Sequence, residues 1–282
     1  MNTIHKLFSG KKQISPMQVG GFLLIIMGAL ALADLNLLTG QVGYYVLPFT
    51  GLVILSAGLK SRKLNLFGPG AIILGTGLGV VLAHGYFPGN TKAQIGLLAC
   101  GIGAGWILLA LEGIFVFKTP VGWALIPGTF FIGLAFSFLF SQLRIYDFVF
   151  YLLIWLGLGL LAWGIIVKLF GLILAGCISI TVGSGIFFGW GFHPQNNGLA
   201  QTGIMLIWFA VGWALVVIIS RLVHEKLIWW PLIPCGILAV VGWGLYLGGG
   251  AVSGTKVIGN SGSLMLIIFG IYLLLLRKGI QK

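Results

Sequence analysis

The chain has 282 residues, 59% of them hydrophobic and 7% charged, with a mean hydropathy of +1.11 and a net charge of +12. Soluble domains carry roughly 25% charged residues, so a water-facing globule of this size is excluded and lipid must be much of the solvent. The basic residues stand in short tracts between apolar segments, the pattern of topology determinants rather than of a nucleic-acid surface.

A cytoplasmic N-terminal segment is expected over 1–16. Apolar helices follow near 17–34, 41–59, 68–84, 94–117, 121–141, 147–168, 170–190, 199–221, 229–248 and 257–276. Several are at the short end of the roughly 17–25 residues that span a bilayer. Lys11-Lys12, the apolar run from Gly20 and Ala31-Leu32-Ala33 before Asp34 also have the form of a signal peptide with its cleavage site. The similarity of this segment to later, internal helices favours a retained span. The expected fold class is an all-α membrane protein of about ten transmembrane helices, arranged as five hairpins.

The basic residues test this count. Taking the first segment and every second loop as one side places Lys6, Lys11, Lys12, Lys60, Arg62, Lys63, Lys118, Lys168, Arg221, Lys226, Arg277, Lys278 and Lys282 there. Only Lys92, Arg144 and Lys256 fall on the other. By the positive-inside rule both termini are expected in the cytoplasm, with the chain multi-pass in a cell (inner) membrane.

An internal repeat is visible. Trp123-Ala124-Leu125-Ile126-Pro127 recurs as Trp230-Pro231-Leu232-Ile233-Pro234, an offset of 107, and Trp106 maps to Trp213 and Gly96 to Gly203. The segment Gly85-Tyr86-Phe87-Pro88-Gly89-Asn90 recurs as Gly191-Phe192-His193-Pro194-Gln195-Asn196. The expected organisation is an extra helical hairpin over 17–63, a four-helix repeat over 64–169 and its parallel copy over 170–278. Gly20-Gly21, Pro69-Gly70, Pro127-Gly128, Ala175-Gly176 and Pro234 mark a weaker two-helix repeat beneath it. Pro69, Pro127 and Pro234 are read as helix starts, where the missing N–H is harmless.

The 46 glycines are about twice the usual share. They fall in runs such as Gly75, Gly77, Gly79 and Gly101, Gly103, Gly105. Four-residue spacing lays two glycines on one helix face, and the glycine between them points to the opposite face. A helix slim on both sides can sit between two neighbours, which suits a stack of hairpins. Cys100, Cys177 and Cys235 lie inside apolar segments without a CxxC pair, the pattern of small packing residues rather than of a disulfide framework or zinc site.

The polar residues within the spans are the candidates for function. Asp34, Glu112, Asp147 and Glu225 are the only acids, and each is expected to reach interfacial water. Glu112, the deepest, is the one for a proton or cation role; its counterpart in the second repeat is Ile219. His84 and His193 stand at helix ends and could share a metal only if folding joined them and added a third ligand. Ser179, Thr181 and Ser184 could line a polar path or bond to carbonyls one turn back. The repeated segments 84–94 and 190–200 are either tight turns or paired binding surfaces. No catalytic, cofactor or resident metal site is assigned.

Gly21-Phe22-Leu23-Leu24-Ile25-Ile26-Met27-Gly28, Asp34-Leu35-Asn36-Leu37-Leu38, Val46-Leu47-Pro48, Gly51-Leu52-Val53-Ile54-Leu55 and Lys60-Ser61-Arg62-Lys63 form one hairpin. It resembles the LiaI/LiaF-like transmembrane region of bacterial envelope-stress proteins, and Leu264-Met265-Leu266-Ile267-Ile268-Phe269-Gly270 to Leu276-Arg277-Lys278 looks similar. Trp123 to Gly128 also resembles multi-pass bacterial membrane proteins. The resemblance implies hairpins that anchor or bind partners in the membrane; this chain multiplies the hairpin, and no site residue carries over. The expected function is a structural or accessory protein that binds a membrane-protein partner, a second copy or lipid, and is not an enzyme. A small-solute transporter or channel is the alternative, and an intramembrane enzyme the third.

Overall fold

The structure is a computed structural model that describes residues 21, 25–30, 32–34, 43–62, 64–116, 118, 121–141, 144–191, 198–225 and 228–249. Among these, eight helices are long and apolar enough to cross a membrane. They are α1 (Gly43–Ser61), α2 (Leu64–Tyr86), α3 (Thr91–Phe115), α4 (Leu125–Phe140), α5 (Ile145–Val167), α6 (Phe170–Ile186), α7 (Gly198–His224) and α8 (Leu232–Gly249). A 3₁₀ turn, Gly122–Ala124, leads into α4, and a π-helical turn, Phe187–Gly191, extends α6. A helical stretch over Ile25–Asp34 precedes α1. The expected span at 257–276 and most of 1–24 lie outside the described residues.

Helix limits differ from expectation where packing outweighs local sequence. Phe67 and Leu64 join a cluster with Leu109, Ala110 and Ala124, and this burial carries α2 back across Asn65 to Leu64. Pro69 therefore lies inside α2 rather than at its start. Its ring removes one backbone bond near the helix beginning, where the rest of α2 still holds the turn in place. Pro127 and Pro234 occupy the third residue of α4 and α8, as a helix start predicts.

The extensive contacts between the long helices join chain neighbours, from α1–α2 through to α7–α8. Each step is antiparallel: Gly51 faces Leu74 while Gly58 faces Phe67, and Gly79 faces Leu97 while Gly105 faces Ala71. The described helices therefore form an open row in which every interior helix has two neighbours. The glycine runs make this possible. In α2, Gly70 and Gly77 face Leu55 and Pro48 of α1, whereas Gly75 and Gly79 face Gly101 and Leu97 of α3. In α3, Gly101 and Gly105 return that contact, and Gly96 and Gly103 face Leu139 and Gly128 of α4. Lipid tails are as apolar as leucine, so helices gain little by leaving them, and close backbone approach with its dispersion contacts holds the row together.

Turns at the two ends of the row differ. At one end, Arg62, Lys118, Lys168 and Glu225 take positive φ of 51°, 51°, 55° and 57°. This is the left-handed conformation that ends a helix and normally selects glycine. Three of the four residues are basic, beside helix C-termini whose dipole favours a cation. At the opposite end, Gly89 (φ 84°) makes the α2–α3 turn, Asn90 accepts a bond from the Ala93 N–H at 3.2 Å, and Gln94 Nε2 donates to the Phe87 carbonyl at 3.2 Å. Segment 84–94 thus holds a four-residue turn, 87–90, capped by its own side chains.

Two substitutions test these forces. A Cβ at Gly105 would lie 2.7 Å from the Ala71 carbonyl oxygen, so Gly105→Val is expected to cost about 1–3 kcal/mol, read as a lower melting temperature in detergent. Gly244→Ala, whose Cβ meets nothing within 4 Å, serves as the control and is expected to lose nothing. Lys168→Gly keeps the carbonyl and removes the left-handed strain. It should raise stability by about 1 kcal/mol; an unchanged or lower melting temperature would show that the lysine side chain anchors the turn.

Candidate functional site

Most hydroxyls within the spans close on backbone carbonyls. Thr181, 1% exposed, donates to the Cys177 and Ile178 carbonyls at 3.0 and 3.2 Å, and its side chain fills the space beside Gly212 of α7. Ser184 donates to the Ile180 carbonyl at 2.9 Å. Ser179 is half-buried and, two residues from Thr181, points to another side of α6, so the pair does not line one path. Thr129 repeats the arrangement in α4, bonding to the Leu125 and Ile126 carbonyls and facing Gly159 of α5.

Ser137 goes further. Fully buried, it donates to the Gly133 carbonyl at 2.8 Å in its own helix and to the Phe148 carbonyl at 2.9 Å in α5. His224 ties α7 to the α5–α6 turn, with Nε2 2.8 Å from the Lys168 carbonyl and Nδ1 3.3 Å from that of Ser220. Neither contact was legible in the sequence: a lone serine in an apolar helix and a histidine at the end of one carry no signal of a bond to another helix or to a turn far along the chain.

The acids divide. Asp34, expected at an interface, is 2% exposed. The interfacial expectation rested on its place at the end of an apolar run, whereas burial depends on what packs over it. Glu112 is half-buried near the end of α3, and its Oε2 is buried without a hydrogen-bond partner among the described residues. Leu109, one turn earlier, faces Gly68 of α2, which sets Glu112 level with the first turn of α2. The free N–H groups and dipole of a helix start favour a carboxylate there.

His84 stacks on Tyr44 with ring centroids 4.4 Å apart, and its Nδ1 is 3.1 Å from the Val80 carbonyl. His193 lies outside the described residues. Among the described residues, no three His, Cys, Asp or Glu side chains group as metal ligands. A cavity of about 210 Å³ opens at the end of the row opposite the basic turns, lined by Lys92, Phe138, Ser141, Arg144, Ile145 and Phe148. The sequence showed Lys92 and Arg144 as two of three cations on that side, but not that they meet.

No protein-family description, curated protein or solved structure matches the chain. What the chain shows by itself is a multi-pass, all-α membrane protein.

The two kinds of buried hydroxyl should respond differently to removal. Ser137→Ala severs a bond between helices and is expected to cost about 0.6–1.5 kcal/mol in a detergent unfolding titration. Thr181→Val keeps the shape beside Gly212 and loses only a bond within α6, so its expected effect is smaller. Equal losses would mean that Thr181 has a polar partner beyond its own helix.

Proposed function

We propose that the chain is a structural or accessory protein of a bacterial inner membrane that binds partner membrane proteins or lipid along the broad faces of its helix row, and that it is not an enzyme. The observation that carries this reading is the division of labour among side chains. The hydroxyls of Thr129, Ser137, Thr181, Ser184 and Ser220 close on carbonyls. Large apolar side chains, among them Leu52, Leu78, Leu111, Leu158, Ile218 and Val241, stay exposed on the helices. A row used this way offers area for lipid or another apolar helix, as the resemblance of the first hairpin to membrane-anchoring modules would also imply.

A duplication belongs to the same proposal. Phe67, Ala71 and Leu109 of one buried cluster correspond to Ile173, Cys177 and Val216 of the other, each 106 or 107 residues later. Trp106 and Trp123 meet edge-on with centroids 5.7 Å apart at 61°, and Trp213 with Trp230 at 5.7 Å and 67°. These pairs support a parallel four-helix repeat over 64–169 and 170–278, preceded by the hairpin 17–63. The bias of basic residues supports placing both termini and the basic turns in the cytoplasm.

One observation favours a second reading. The buried carboxylate oxygen of Glu112, without a partner among the described residues, is the kind of group that carries a proton or cation in transporters. Purification from native membranes in a mild detergent separates the two. The accessory reading expects a protein partner in constant stoichiometry and no solute or proton flux in sealed proteoliposomes. Flux that falls at least tenfold in Glu112→Gln, with no constant partner, would overturn it in favour of transport.

A further inference from the structure

We propose that the cavity at the end of the row opposite the basic turns is a binding site for an anionic headgroup, a phosphate ester whose apolar portion lies against phenylalanine. The cavity is built by three successive helices. Lys92 stands in the first turn of α3, Phe138 and Ser141 at the end of α4, and Arg144, Ile145 and Phe148 at the start of α5. Its position follows from helix length. α3 has 25 residues and α5 has 23, but α4 with its leading 3₁₀ turn spans only 19. At 1.5 Å per residue, α4 falls short of α3 by about 9 Å, and a recess remains over its end.

Three features set the ligand's chemistry. First, the lining contains two cations, a hydroxyl and no acid; Asp147, in the same turn of α5, is not part of it. No carboxylate shares the lining with Lys92 and Arg144, so nothing within the cavity itself neutralises the two charges. Second, this end of the row is poor in cations. Lys92, Arg144 and Lys256 are the only basic residues assigned to it, yet two of them meet at one cavity, where their mutual repulsion is relieved by a bound negative charge. Third, the two phenylalanines and Ile145 offer an apolar wall beside the charges, at the level of the helix ends where headgroups lie. Arginine binds phosphate through its planar fork and lysine as a point charge, with Ser141 as a further donor. The site does not depend on whether the row anchors partners or passes a solute.

The test follows Lys92 itself. Purified protein in dodecyl maltoside is acetylated with acetic anhydride, and modification at Lys92 is timed by peptide mass spectrometry. Dioleoyl phosphatidylglycerol is expected to slow it at concentrations where dioleoyl phosphatidylcholine does not. Arg144→Gln should raise the half-protecting concentration about fivefold, the effect of one cation near a headgroup, while Arg144→Lys keeps most of the protection. Protection by phosphatidylglycerol alone assigns the site to lipid. Equal protection by millimolar inorganic phosphate supports the same anion chemistry with a soluble source. Equal protection by the zwitterionic lipid, or a wild-type protein protected by neither phosphatidylglycerol nor phosphate, overturns the proposal without reference to any variant. An unchanged half-protecting concentration in folded Arg144→Gln does so too.

Discussion

Backbone must touch backbone for this row of helices to hold. In water, a helix buries its apolar stripe because the stripe leaves solvent; in a bilayer that gain vanishes, and association depends on how closely two helices fit. Gly75 and Gly101 bring α2 and α3 so near that a side-chain carbon at Gly75 would fall on the Gly101 carbonyl oxygen. The same condition recurs at Gly133 against Leu152, Gly157 against Gly176 and Gly203 against Gly242. An interior helix meets it on two sides at once, and in α2 alternate glycines serve alternate neighbours. What remains of each helix surface is apolar and suited to lipid.

Polar side chains follow the same constraint. A hydroxyl at a close helix contact must find an acceptor without holding the helices apart. Thr129 and Thr181 do so by folding back on their own carbonyls while filling the space beside a glycine of the next helix. Ser137 is small enough to reach across to Phe148. Charged residues are held at the ends, where the turns with Arg62, Lys118 and Lys168 accept left-handed strain at residues that are not glycine. Glycine would fit these turns with less strain, but it would remove charge from the end where the helix C-termini favour a cation.

Much of this was legible in the sequence because hydropathy and glycine spacing are local signals. Every long described helix overlaps an expected span, and the two-sided glycine faces are as their spacing implies. The discrepancies arise where the deciding contact is distant. Pro69 looked like a helix start, but Phe67 packs with Leu109, and α2 begins earlier. In segment 84–94 the turn formers Pro88, Gly89 and Asn90 marked a turn in the sequence, but the bonds from Asn90 and Gln94 that close it to four residues did not show there. Thr181 and Ser184 donate to carbonyls about one turn back, one of the two roles their residue type allows in a helix.

The candidate functional groups were less legible because packing residues announce themselves by regular spacing, whereas these are isolated residues. Glu112 stands 107 residues before Ile219, which packs beside a buried cluster. The difference is visible in sequence, but whether the acid finds a partner depends on the first turn of a neighbouring helix. Lys92 and Arg144 are a harder case: they stand on α3 and at the start of α5, with a whole helix between them in the chain. Both cations point to function only once the shortness of α4 leaves them a common recess. In a membrane protein held by close backbone contacts, chemistry is therefore best sought at the exceptions to that packing: an acid level with a helix start, a helix too short for its neighbours, and two cations at one recess.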